Sequence, residues 1–268
     1  MSDLSRRWLG LAAGVALVAF ATSLPAAAAE KIKLGVIGGE EEEIAEVVKK
    51  VAARDGLDID IVTFSDYTLP NEALSRGDLD ANAFQHQPYL NAQIAARGYK
   101  IVPAGFTIVE PIGFYSLKVK SFKDLPEGAQ IGMPNDPSNG GRALNLLAAN
   151  GLIKLAPGKG LSPSVLDVTE NPKQVKFREL DAALLPKQLP DLDGAVVNTN
   201  YALSAKLDPR KDALVQESRT ENPYGNFVAV RAGEEARPAI RKLVAAYQSP
   251  EVKAFLETRF KGAILPAW

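Results

Sequence analysis

Short apolar runs alternate with amphipathic stretches along the chain. "IKLGVIGG" at 32–39 reads as a buried strand, and the next segment spaces Ile44, Val47, Val48 and Val51 on one face of a helix. "LDIDIVTF" at 57–64 follows as a strand. "LDANAF" at 79–84 is a short strand, "PYLNAQIAARG" a helix opened by Pro88 and stopped by Gly98, and "YKIVPAGF" at 99–106 another strand. "SFKD" at 121–124 carries a capping-box-like start for a short helix. A second series runs from "AQIGMPND" through "GRALNLLAANG" to "GAVVNTNYALSA", and the chain closes on "NFVAVRA" and two helical patterns at 237–248 and 249–260. Repeated β-α-β units predict an α/β fold of mostly parallel sheets flanked by helices.

Two such series without a Gly/Ser-rich linker between them predict two lobes. "TIVEPIGFYSLK" at 107–118 crosses one way and "NPYGNFVAV" at 222–230 crosses back, so the lobes flank a cleft and can hinge. The expected division is residues 30–113 with 225–268 as the first lobe and 114–224 as the second.

The first 29 residues do not belong to this pattern. Arg6 and Arg7 precede an uncharged run from Trp8 to Phe20, roughly 20 Å long as a helix and short of a bilayer core of about 30 Å. With small residues ending at Ala29, the segment reads as a cleaved export signal by the general or the twin-arginine route. Leaving out Asp3, Arg6 and Arg7, the remaining chain has 29 basic and 31 acidic residues, net −2. Nucleic acid and anionic membrane both call for clustered positive charge, so neither is an expected partner. The chain has no cysteine, which excludes disulfides, thiolate metal sites and thiol nucleophiles.

Candidate chemistry is sparse. "GVIGGEEEE" lacks the G-x-G-x-x-G spacing of a dinucleotide site, and Glu40 to Glu43 at a helix start repel a pyrophosphate; they read as a charged, solvated first turn. No G-x-S-x-G and no H-E-x-x-H occurs, and His86 is the only histidine, so no metal site and no catalytic set is assigned.

His86 sits in "NAFQHQPY", where Phe84 and Tyr89 flank it and Tyr67 ends the preceding strand. Side chains at the carboxyl ends of strands in an α/β sheet face a ligand crevice. The rings form either an apolar slot or a seal between helix and sheet, and spacing alone does not choose.

"NDPSNGGRAL" reads as a strand end, a turn and a helix start whose free backbone N–H groups make an anion site. Arg142 within the first helical turn adds a planar fork suited to a carboxylate or, alternatively, pairs with solvent or a neighbouring acid. Asn198 and Asn200 stand where helix caps stand, and Asn226 lies on the returning segment.

"SDYTLPNEALSRGDLDANAFQHQPYL", "GYKIVPAG", "PNDPSNGGRALNLLAANGLIKL", "LDVTENPK", "LPDLDGAVVNTNYA" and "GAILPAW" together resemble the NlpA lipoprotein family, the methionine-binding components of ABC importers, over about residues 31–268. The resemblance implies a two-lobed periplasmic binding protein of the type II-like kind, monomeric and without cofactor. Such a protein closes over methionine, L- and possibly D-, and delivers it to a membrane permease with its ATPase. It implies an apolar slot from Tyr67, Phe84, His86 and Tyr89, a carboxylate clamp at Arg142 with Asn139 nearby, and polar contacts from Asn198 and Asn226. Family members are commonly anchored through a cysteine after the signal; this chain has none, so the expectation is a periplasmic protein free of that anchor. The alternatives are a binding protein for another small apolar amino acid, or an exported hydrolase using His86 as base.

Overall fold

In the computed structural model, Glu30–Ile37 forms β1 and Glu40–Ala52 forms α1, followed by β2 (Leu57–Phe64), α2 (Pro70–Arg76), β3 (Ala81–His86), α3 (Gln87–Arg97) and β4 (Ile101–Val109). The chain continues through β5 (Gly113–Tyr115), β6 (Gln130–Pro134), α4 (Pro137–Ala149), β7 (Lys154–Leu155), β8 (Val168–Glu170), β9 (Lys176–Leu180) and α5 (Leu185–Gln188). It ends with β10 (Gly194–Val197), α6 (Thr199–Ser204), β11 (Ala213–Gln216), β12 (Gly225–Arg231), α7 (Pro238–Tyr247), α8 (Pro250–Phe260) and β13 (Leu265–Pro266). The structure describes residues 30–268, and the export signal expected over 1–29 lies outside them. No helix among the described residues is long and apolar enough to cross a membrane.

The strands form two main sheets, β13-β4-β12-β3-β1-β2 and β11-β5-β10-β6-β9. In the first, β1 pairs in parallel with β2 and β3, while β12 pairs antiparallel with both β3 and β4, so β1 to β4 all run one way. In the second, β5 alone opposes the shared direction of β6, β9, β10 and β11. The mostly parallel character therefore holds by strand direction, but the first sheet takes in β12 and the terminal β13, and the second takes in β5, as antiparallel strands. Residues 110–112 lead from β4 into β5, and 217–224 lead from β11 back to β12. Helix α2 and strand β9 were not anticipated in the sequence.

Each sheet has its own core. Ile32, Leu34, Val36 and Ile59 pack with Ile44 and Val48 of α1 and Leu243 and Leu256 of α7 and α8. Ile131, Met133 and Val196 pack with Leu144 and Leu147 of α4. Each such side chain contributes about 1.5–3 kcal/mol on burial. A third buried cluster joins the two: Ile37, Phe84 and Tyr89 from the first lobe meet Tyr115, Leu185, Val197 and Tyr201 from the second.

The acidic start of α1 corrects the expectation of a solvated turn. Glu42 and Glu43 are exposed, but Glu40 and Glu41 are buried, because the second lobe covers this end of the helix. Gly39 takes φ 104°, and a Cβ there would stand 2.8 Å from Ser204 Oγ across the lobe boundary. Ser204 Oγ lies 3.4 Å from both Glu40 carboxylate oxygens, and Glu41 Oε2 accepts from Ile37 N at 2.9 Å.

Burial first, and then repulsion by Glu110, pushes Glu40 from 4.5 up to about 8 and raises Glu41 as well. A carboxyl raised on folding takes up a proton in the folded state, so the stability tied to it is fullest below 4.5 and is lost as pH rises through about 8. Urea unfolding is expected to show the protein on the order of 2–4 kcal/mol less stable at about pH 8 than at about pH 5 through these groups. Glu40→Gln should flatten that slope; an unchanged slope would show Glu40 to be solvated after all.

Candidate ligand cavity between the lobes

Strand β3 is buried along its whole length, and its carboxyl end delivers Phe84 and His86 to the lobe boundary. A closed amide network fixes it there. Asn71 and Gln85 exchange hydrogen bonds of 2.8 and 2.6 Å, and Asn82 Nδ2 donates to Asn71 Oδ1 at 3.0 Å. Satisfied buried networks of this kind rigidify what they hold.

His86 is the N-cap of α3, which opens at Gln87 rather than Pro88: its Nδ1 accepts from Tyr89 N at 3.2 Å. An accepting Nδ1 leaves the proton on Nε2, which donates to Asn139 Oδ1 of the second lobe at 3.3 Å. Burial and then Arg142 lower the imidazole to about 3, so it is neutral at neutral pH.

The rings gather as one wall. Tyr67 lies 6.0 Å from Phe84, 5.9 Å from Tyr89 and 5.0 Å from Tyr201, and Phe84 meets Tyr89 edge-on at 5.8 Å. Tyr67 Oη donates to Asn200 Oδ1 at 2.7 Å, another bond between the lobes. Tyr201 was not singled out in the sequence.

Helix α4 differs from its expected form. It begins at Pro137, includes both glycines, and places Arg142 in its second turn. A Cβ on Gly141 would stand 2.9 Å from Leu161 O and 3.0 Å from Pro163 O, so glycine there admits the neighbouring loop. The expected anion site of free N–H groups is not formed, because Asp136 caps the helix: Oδ1 accepts from Asn139 N at 2.9 Å and Oδ2 from Asn139 Nδ2 at 3.0 Å.

The expected carboxylate clamp is also partly closed by the protein itself. Arg142 Nε and Nη2 donate to the two oxygens of Glu217 at 2.8 and 2.6 Å, and Nη2 donates to Glu110 O at 2.8 Å. The guanidinium stacks 4.1 Å from the Tyr224 ring centroid. Glu217 Oε2 accepts in addition from Ile112 N at 3.1 Å, so Arg142 ties both crossing segments to α4.

Between these groups, at the lobe boundary, lies a cavity whose empty space amounts to about 360 Å³, the part open to solvent included. All eight residues of the expected site line it: Tyr67, Phe84, His86, Tyr89, Asn139, Arg142, Asn198 and Asn226. Glu110, Asn200 and Tyr224 join them. Asn198 occupies the N-cap position of α6 but does not cap it; its Nδ2 donates to Asn139 Oδ1 at 3.0 Å.

Three buried polar atoms of this wall have no partner among the described residues: Glu110 Oε1, Asn198 Oδ1 and Asn200 Nδ2. Two accept and one donates. Burial pushes Glu110 up to about 7, with Arg142 pulling the other way. Its place on the first crossing segment was visible in the sequence, but nothing there marks it as facing a cavity. Among the described residues no group of three or more His, Cys, Asp or Glu is placed to hold a metal ion.

Comparison with known proteins gives consistent matches. The family model described as NlpA lipoprotein matches residues 32–268. The D-methionine-binding lipoprotein MetQ of Escherichia coli K12 is 50% identical over 240 residues, covering 88% of each chain. The structure of a nutrient binding protein from Burkholderia cenocepacia bound to methionine superposes with a TM-score of 0.86 at 54% identity, over 88% of this chain and all of that one. A periplasmic substrate-binding protein of an ABC transporter from Coxiella burnetii superposes with a TM-score of 0.85 at 47% identity, over 88% and 100% of the two chains.

Proposed function

We propose, from the premise that the chain belongs to the NlpA lipoprotein family, that it is the substrate-binding protein of an ABC importer and carries methionine in the interlobe cavity. The observation that carries this reading is the pairing of a ring wall with unpartnered acceptors and an unpartnered donor in one buried space. A thioether gains about 0.3–1.5 kcal/mol per aromatic contact, and burying the rest of the side chain adds about 1.5–3 kcal/mol. Glu110 Oε1 and Asn198 Oδ1 suit an ammonium, and Asn200 Nδ2 suits a carboxylate oxygen. Tyr67, Phe84, His86 and Tyr89 form the side-chain slot; Arg142, Asn198 and Asn226 attend the head group, with Asn139 as the bridge between His86 and Asn198.

The chain acts as a carrier and not as an enzyme. A hydrolytic base at His86 is disfavoured because both ring nitrogens are engaged and the ring is held far below its usual range. The protein works as a monomer, exported and without a lipid on cysteine, since the sequence has none, and hands its ligand to a permease driven by an ATPase. Cold osmotic shock should release it without detergent. Native mass spectrometry of that fraction should show a monomer carrying one added mass equal to methionine. A monomer with no amino-acid mass, and no binding of added methionine, would overturn the assignment.

A further inference from the structure

The two lobes also meet away from the ligand cavity, where the start of α1 faces α6. Ser204 stands over Gly39 and shares its hydroxyl between the two carboxylate oxygens of Glu40, 3.4 Å from each. Leu203 beside it packs against the core of the first lobe, and Tyr201, one turn back, donates its hydroxyl to Ser65 O at 3.4 Å. Neither Glu40 nor Ser204 lines the ligand cavity.

What closes over Glu40 brings no positive charge. The residue is buried, and among the described residues the only side chain within hydrogen-bonding distance of its carboxylate is the neutral Ser204. Glu41, Glu43 and Glu110 are the acids that face it. The cation on that side, Arg259 of α8, is bonded to Glu43 at 2.7 and 2.9 Å. The groove beside Ser204 carries Asp66, Asp181 and Lys187, none of them hydrogen-bonded to Glu40.

We infer that Glu40 is a positioning residue for ligand binding: the second lobe closes over it more readily when it is protonated, so the protein takes up a proton as it closes on its ligand. The inference rests on the reading of the protein as a carrier that closes on methionine, and adds a control that touches no part of the ligand. Burial costs an ionised carboxyl far more than a neutral one, and a protonated Glu40 can itself donate to Ser204 Oγ. Burial first, and then Glu110, holds Glu40 at about 8 in the closed protein against its ordinary 4.5. The contribution to closure is therefore fullest below 4.5 and is lost as pH rises through about 8.

Calorimetry of methionine binding at about pH 6.5, in buffers of different ionisation enthalpy, counts the protons exchanged with solvent. Wild type should take up roughly 0.5–1 proton more per ligand than Glu40→Gln. The comparison separates Glu40 from Glu110, which is also raised and faces the cavity, because both proteins keep Glu110. Between about pH 5 and about pH 8, wild type should lose at least about tenfold more methionine affinity than Glu40→Gln. A merely structural contact would change affinity alike at both pH values and leave the proton count where it was.

Equal proton counts in the two proteins, or affinities that fall in parallel between these pH values, overturn the inference while leaving the methionine reading intact. Wild-type protein that binds no methionine at either pH overturns that reading, and this inference with it.

Discussion

Arg142→Ala is expected to lose methionine affinity by at least about 100-fold and to unfold at markedly lower urea concentration than wild type. The sequence alone points only to the first effect, through a guanidinium free to clamp a carboxylate. The structure adds the second. Arg142 is bonded to Glu217 and to the carbonyl of Glu110 and stacked on Tyr224, so its removal leaves the Glu217 carboxylate, 13% exposed, without its cation. Breaking a buried pair from one side costs about 3–5 kcal/mol, because the survivor stays desolvated and unpaired.

The two effects separate in the double variant Arg142→Met with Glu217→Leu. Removing both charges together should recover most of the lost stability and none of the affinity. Calorimetry and urea unfolding on the three proteins check this. Wild-type affinity in either variant would remove Arg142 from the site, and a double variant as unstable as the single would show that the lost stability comes from packing and not from charge.

Phe84→Ala carries the second large effect, and it is selective. The ring is 5% exposed, stands at the carboxyl end of β3, and touches the cavity between Tyr67 and Tyr89. A thioether chain laid against it loses both dispersion contact and the sulfur–aromatic interaction, for a drop in methionine affinity of roughly 10- to 100-fold. Alanine, whose methyl group does not reach the ring, should lose less than about threefold. Competition binding of the two amino acids to wild type and variant decides the matter. Equal losses for both would show that Phe84 shapes the lobe without touching the side chain. Some loss of stability accompanies the change, since truncating a buried Phe costs about 3–5 kcal/mol, so binding is compared under conditions where both proteins are folded.

The contrast between these two residues shows what local signals carry. Phe84, His86 and Tyr89 were found because a short apolar strand running into Pro88 announces a strand end, and strand ends in such sheets face ligands. Arg142 was found through a Pro/Gly-rich helix entry, yet its partner was not, since Glu217 lies 75 residues away on a segment with no periodicity. Asp136 is the N-cap of that same helix. Its carboxylate already fills the place an anion was expected to take.

Glu40 and Glu41 misled for the same reason as Glu217. A run of four glutamates at a helix start belongs in water unless another element covers it, and here the second lobe does. Glu110 is the sharper case: a lone acid on a crossing segment carries no local mark, and only the meeting of the lobes leaves it facing a buried space without a donor.

By itself the sequence determined the alternation of strands and helices, the two lobes and the set of rings and amides at their boundary, because periodicity, caps and turn residues act over a few positions along the chain. Tertiary structure alone decided which charges are paired, which are stranded and which lose water. Desolvation and ion pairing depend on what closes over a group from far along the chain, and here the closing surface is the opposite lobe.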